Sequence, residues 1–165
     1  MKHHLKTMDL RLAAIAKGIP GYPLETSALA NSSYHLERYT QEQTNAVLKP
    51  MGLNYTMFRV LAIASADSLG SVTPAELAGT SGERATNVTH LCDELVAAGW
   101  MTRERDPQDR RRVDLKVTAA GRQLLAQVRP LVWAIWERRY LGLDAAERRT
   151  LQDLLRRQFE NLVED

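Results

Sequence analysis

Between Thr73 and Thr118 the hydrophobic period of the chain changes once, from helical to extended, and few architectures accept that order. The segment opens with TPAEL. Thr73 can cap a helix, Pro74 suits the first helical position, and Glu76 stands three residues after the cap. That is a capping box, in which side chain and backbone satisfy each other's orphan groups. The helix it opens is short, because Gly79 and Gly82 bracket Thr80 and Ser81. A second helix is predicted from about Glu83 to Ala98. Val88, Leu91, Cys92 and Leu95 share one of its faces, and Gly99 supplies its stop. Past Gly99 the period becomes two. WMTRER forms one strand, and Val113, Leu115 and Val117 alternate with Asp114 and Lys116 in a second. The loop between them is DPQDRRR.

A helix-turn-helix followed by a hairpin with a cationic tip is the order of a winged helix. The flanks are helical. Leu5, Met8, Leu12 and Ile15 recur at helical spacing, and GIPGYP (Gly18 to Pro23) breaks the chain after them. A long helix then runs from about Thr26 to Lys49 and ends at Pro50 and Gly52. Its inward stripe is polar, with Ser32, Ser33, Thr40 and Gln43 where a packed core prefers leucine. Asn54 caps a helix that carries Met57, Phe58, Val60, Leu61 and Ile63 and stops near Ser68 to Ser71. Thr118 caps another, with Leu124, Leu125, Val128, Leu131, Val132 and Ile135 inward and a kink expected at Pro130. Trp133, Trp136 and Tyr140 are either interface anchors or plain core, and core or helix packing is the safer expectation. Asp144 and Glu147 open the last helix, whose stripe is Leu151, Leu154, Leu155, Phe159 and Leu162. The fold class is therefore mainly α with a small β-hairpin wing. Residues 1–52 read as N-terminal dimerisation helices, 53–118 as the winged helix-turn-helix, and 119–165 as C-terminal dimerisation helices.

Charge decides what such a hairpin can meet. The 165-residue chain has a net charge of only +2. From Arg103 to Arg112 alone, five arginines face Glu104, Asp106 and Asp109, so this short segment equals the whole chain. A solvated charged loop is the plain alternative. After a helix-turn-helix, however, a cationic tip has an obvious counterpart in the narrow minor groove of DNA. The preceding helix fits the major groove, about 12 Å wide. On that helix, side chains at about 100° per residue place Thr86, His90 and Asp93 away from the apolar face, with Asn87 and Thr89 on its flanks. Arg84, Thr86, Asn87 and His90 are the candidates for base edges, Thr89 for a phosphate, and Arg110, Arg111 and Arg112 for the wing. Several of these would touch only phosphate, as half or more of such bonds do.

The segment TPAEL…GERATNVTHLCDELVAAGWMTRERDPQDRRRVDLKVTAAG resembles the core of the MarR family of bacterial transcriptional regulators. The Thr89/Leu91/Leu95 spacing, LVAAGW, DPQDRR and LKVTAAG closing on Gly121 carry the likeness, over about Leu53 to Leu162. The resemblance implies a homodimer that binds pseudo-palindromic operator DNA and usually represses, and the lone cysteine suits a reducing, cytoplasmic setting. It implies a small effector, often an aromatic acid or a phenol, that relieves repression. It also implies that Asp109 braces Arg111, leaving Arg110 and Arg112 freer. Geometry supports the dimer separately: major-groove faces recur about every 34 Å, and one chain has one recognition helix.

In the family, ligands commonly sit between the dimer helices and the winged-helix unit. His35, Arg38 and Tyr39 on the long helix and Arg59 on the next are the ligand candidates, suited to a nicotinate-like or hydroxybenzoate-like acid. A hydrogen-bonded helix interface without ligand accounts for the same residues. A winged helix that docks proteins, with no small ligand, is the alternative function; its basic wing argues against it. No nucleophile–base pair, phosphate-binding glycine loop or paired carboxylates suggest an enzyme, and no cofactor is implied. His3, His4, His35 and His90 are scattered, so no metal site is expected. The single cysteine, Cys92, falls on the inward face with no adjacent Lys, Arg or Cys to lower its pKa, and reads as a buried, inert thiol. No apolar run is long enough for a bilayer.

Overall fold

The computed structural model describes residues 2–66, 71–105 and 113–163. The chain divides into two compact units, Met1–Gln43 and Thr44–Asp165.

The first unit holds α1 (Lys2–Gly18) and the greater part of α2 (Leu24–Leu48). Gly21, at φ 76°, makes the left-handed turn between them, as the two prolines and two glycines of that stretch require. Leu12 and Thr40 are buried, and Thr40 donates its hydroxyl to the Leu36 carbonyl at 2.8 Å. The expected inward polar stripe is only partly inward: Ser32 and Ser33 are exposed, while Gln43 is half-buried. Helical spacing gives a common face, but it cannot say where along a helix a neighbour covers that face.

The second unit begins with the last turn of α2 and a short 3-10 turn, Lys49–Met51, and contains α3 (Tyr55–Ala64), α4 (Pro74–Ser81), α5 (Ala85–Ala97), β1 (Met101–Arg105), β2 (Val113–Val117), α6 (Ala119–Arg139) and α7 (Ala145–Val163). Each start has its cause in the sequence. Asn54 accepts from the Met57 amide at 2.8 Å, and Asn45 accepts from the Tyr55 amide at 2.7 Å, which anchors the entrance to α3. The capping box is present: Thr73 Oγ1 accepts from the Glu76 amide, and the Glu76 carboxylate accepts from the Thr73 amide at 2.7 Å. Asp144 accepts from the Ala146 and Glu147 amides and opens α7. Gly79 lies inside α4, which stops at Gly82 (φ 72°).

One apolar core joins these elements. Leu48, Val60, Leu61, Leu77, Val88, Leu95, Leu115, Leu125, Val128 and Val132 are all inaccessible or nearly so. β1 and β2 pair antiparallel, Met101 opposite Val117, and Val72 adds a bridge to Leu115 with both backbone bonds made, at 3.0 and 2.9 Å. Met101, Leu115 and Val117 face the core, so the hairpin is stapled to the helices by its period-two pattern.

α6 runs unbroken through Pro130. Its inner face is narrower than the sequence suggests. Leu125, Val128 and Val132 are buried, but Leu131 is exposed. Trp133 and Trp136 are 52% and 36% exposed, so neither belongs to the buried core, contrary to the expectation of core. On α7 no residue is buried, and Leu154, Leu155, Phe159 and Leu162 lie open along its stripe.

Candidate nucleic-acid interface

α5 is held from below and free above. Val88, Leu91, Cys92 and Leu95 are buried, whereas Arg84, Thr86, Asn87, Thr89 and His90 are exposed. Arg84 occupies the N-cap in an extended conformation without capping the helix itself. Arg84 is therefore exposed at the start of the helix, the end whose unsatisfied amides favour anions. Asn87 donates from Nδ2 to the Glu83 carboxylate at 2.7 Å, which fixes the orientation of its amide. Thr89 donates to the Ala85 carbonyl at 3.0 Å and keeps its oxygen lone pairs as acceptors.

The hairpin is braced against this helix. Arg103, on the inward face of β1, reaches Asp93 of α5 at 2.8 Å. Both side chains are partly exposed, so the pair adds at most about 1 kcal/mol of stability; what it does is fix strand to helix. On the outer face Lys116 bonds the Glu104 carboxylate at 2.6 Å, which offsets Glu104 lying opposite Asp114. The Lys116 ammonium is held above its ordinary pKa by that bond. Sequence spacing missed both Arg103 and Asp93, because they meet only once the hairpin has folded back. The three wing arginines, Arg110, Arg111 and Arg112, lie outside the described residues, as do Asp106 and Asp109.

Cys92 is fully buried, and burial pushes its thiol from the ordinary 9.0 up to about 11, against the opposing pull of Arg103. That is the inert thiol the helical spacing predicts, although a cation does stand nearby.

The ligand candidates fall in both units. In the first, His35 is half-buried with its ring edge-on to Tyr34, centroids 5.3 Å apart. Arg38 pairs with Glu42 at 2.9 Å in the open, and that contact raises its pKa. Tyr39 is exposed. In the second unit Arg59 donates to the Ser81 carbonyl at 2.8 Å and lies 5.8 Å from the Tyr55 ring centroid. Among the described residues no three His, Cys, Asp or Glu side chains could hold a metal ion, and no helix is long and apolar enough to cross a membrane.

A helix pair opened by a capping box, an exposed polar face on its second helix and a hairpin packed beside it define the winged-helix class of DNA-binding regulators. The MarR family model matches residues 53–113. The transcriptional repressor MprA of Escherichia coli is 28% identical over 141 residues, 86% of this chain and 80% of the relative. The multiple antibiotic resistance protein MarR of Escherichia coli is 31% identical over 114 residues, 68% and 78% of the two chains. This chain belongs to the MarR family of transcriptional regulators. A serine mutant of Escherichia coli MarR complexed with operator DNA superposes with a TM-score of 0.72 at 27% identity, over 81% of this chain and 94% of the other. CouR from Rhodococcus jostii, bound to p-coumaroyl-CoA, does so with a TM-score of 0.67 at 27% identity, over 74% and 85%.

Proposed function

We propose that this protein is a repressor that binds a pseudo-palindromic operator as a homodimer and is released by a small aromatic carboxylate or phenol. One observation carries the DNA reading: α5 presents Arg84, Thr86, Asn87, Thr89 and His90 to solvent while its opposite face is buried. Arg and Asn at such a helix can read guanine and adenine bidentately. Arg110, Arg111 and Arg112 serve as the wing's contacts to an adjacent groove. The likeness to MarR on its operator supports this arrangement.

The dimer reading rests on what one protomer leaves uncovered. Leu154, Leu155, Phe159 and Leu162 on α7 form an apolar stripe with nothing buried behind it, and Trp133 and Trp136 of α6 are also open. Such a stripe is a liability in water unless a partner covers it. Residues 1–52 and 119–165 supply the dimer helices on this reading, and 53–118 the DNA-binding domain. The effector reading draws on CouR, which binds an aromatic acyl thioester. His35, Arg38, Tyr39 and Arg59 are the side chains that would recognise an acid or phenol in this chain, with a nicotinate-like or hydroxybenzoate-like compound as the first to try.

Fluorescence anisotropy with the protein's own promoter tests the DNA reading. Asn87→Ala should weaken binding by about tenfold or more and relax preference at one base pair. Alanine at a wing arginine that touches phosphate should lower the slope of log affinity against log salt by about one, equally for all sequences. Equal affinity for promoter and random DNA would overturn the proposal.

A further inference from the structure

The turn between α4 and α5 sets where the recognition helix points, and its closure depends on a residue from outside the pair. α4 ends at Ser81, which is 2% exposed, and Gly82 turns the chain left-handed at φ 72°. The Gly82 amide bonds the Ala78 carbonyl at 3.2 Å, and the Glu83 amide bonds the Ser81 hydroxyl at 3.3 Å. The Ser81 carbonyl belongs to the last turn of α4, where no intrahelical donor is available. It is taken by the Arg59 guanidinium of α3 at 2.8 Å. That places a cation at the negative end of the α4 dipole. The Tyr55 ring, one turn earlier on α3, stands 5.8 Å from the same guanidinium and limits where it can swing. Ser81 is thus held through its carbonyl from α3 and through its hydroxyl by the first residue leading into α5.

We propose that Arg59 is a positioning residue for DNA recognition: it locks the α4–α5 turn and so fixes the approach of Arg84, Thr86 and Asn87 to the groove, without touching DNA. The inference rests on the DNA-binding reading above, but its first arm does not use DNA. Arg59→Gln keeps a hydrogen-bond donor of shorter reach and loses the charge; Arg59→Lys keeps charge and reach but not the fork. Amide exchange of the free full-length protein should quicken at Gly82, Glu83 and Val88 in Arg59→Gln, and less in Arg59→Lys, with the amides of α6 unchanged. Operator affinity, corrected for the active fraction by stoichiometric titration, should fall by about tenfold in Arg59→Gln, the equivalent of one lost base contact. It should fall less in Arg59→Lys. The salt slope should stay at the wild-type value in both, since no phosphate contact is removed.

A slope lower by about one would make Arg59 a direct phosphate contact and overturn the proposal. So would wild-type affinity together with wild-type exchange in Arg59→Gln. If Arg59→Gln does not fold, Arg59→Lys decides: weaker operator binding and quicker turn exchange than wild type support the lock, and identity with wild type in both rejects it. Failure of the wild-type protein itself to bind its promoter would strike the DNA reading, while the exchange result would still report on the lock.

Discussion

Gly79 and Gly121 lie within α4 and α6, and the structure predicts opposite outcomes when each becomes alanine. A Cβ at Gly121 would stand 2.9 Å from Val117 Cγ1 and 3.1 Å from the Trp100 carbonyl carbon, and closer still to the Trp100 oxygen. That carbonyl cannot swing away, because it accepts from the Thr118 amide at 3.0 Å at the start of α6. Restoring ordinary contact, about 3.5 Å between heavy atoms, moves the first turn of α6 by on the order of 1 Å. Overpacking of this kind costs about 1–3 kcal/mol, and a weakened Thr118 bond adds about 1. Alanine's helix propensity returns about 1 kcal/mol. The net is a loss of roughly 2 kcal/mol for Gly121→Ala. At Gly79 in α4 a Cβ meets nothing within 4 Å, so only propensity acts and Gly79→Ala should gain about 0.5–1 kcal/mol. Urea unfolding at one fixed protein concentration measures both. A Gly121→Ala protein as stable as wild type would show that the approach of α6 to Trp100 is slack, and the packing argument would be wrong.

Other expectations follow from single contacts. Thr73→Ala removes one half of the capping box and should cost about 1 kcal/mol, read as a shift of the urea midpoint without a change of slope. Cys92 should resist iodoacetamide in the folded protein at pH 8 and react on unfolding; rapid labelling of the native state would contradict its burial. Its folded pKa, about 11, exceeds the ordinary 9.0, so the stability it contributes is whole below pH 9 and is lost as pH rises toward 11. The loss is on the order of 2–3 kcal/mol, and Cys92→Ala should flatten that arm of the pH–stability curve. Titration calorimetry with a panel of nicotinate-like and hydroxybenzoate-like acids should find one that binds wild type and not the His35→Ala, Arg59→Ala double mutant; undiminished binding by the double mutant would remove these residues from the effector site.

The elements were legible because their signals are local. Thr73 and Glu76, Asn54, Thr118, and Asp144 with Glu147 each announce a helix start within four residues, and the alternation of Val113, Leu115 and Val117 needs no knowledge of the rest. The faces of α5 were legible for the same reason. Contacts between elements were not. Nothing in the spacing of Arg103 and Asp93 shows that they meet across strand and helix, or that Arg59 reaches the carbonyl of Ser81. Trp133, Trp136 and Leu131 show a different limit. Large apolar residues are predicted inward because burial is the common fate of such side chains, but periodicity does not distinguish a protomer's own core from a face kept for a partner.

The claim at the centre is geometric: two copies of α5, one from each protomer, must meet two half-sites on the same side of the duplex. Inserting five base pairs between the half-sites of the promoter rotates them apart by about half a turn. Affinity should then fall to the level of random DNA, and a ten-base-pair insertion, about a full turn, should restore part of it, with two protomers bound per operator by sedimentation. Binding that ignores the insertion, or one protomer on each operator, would contradict it.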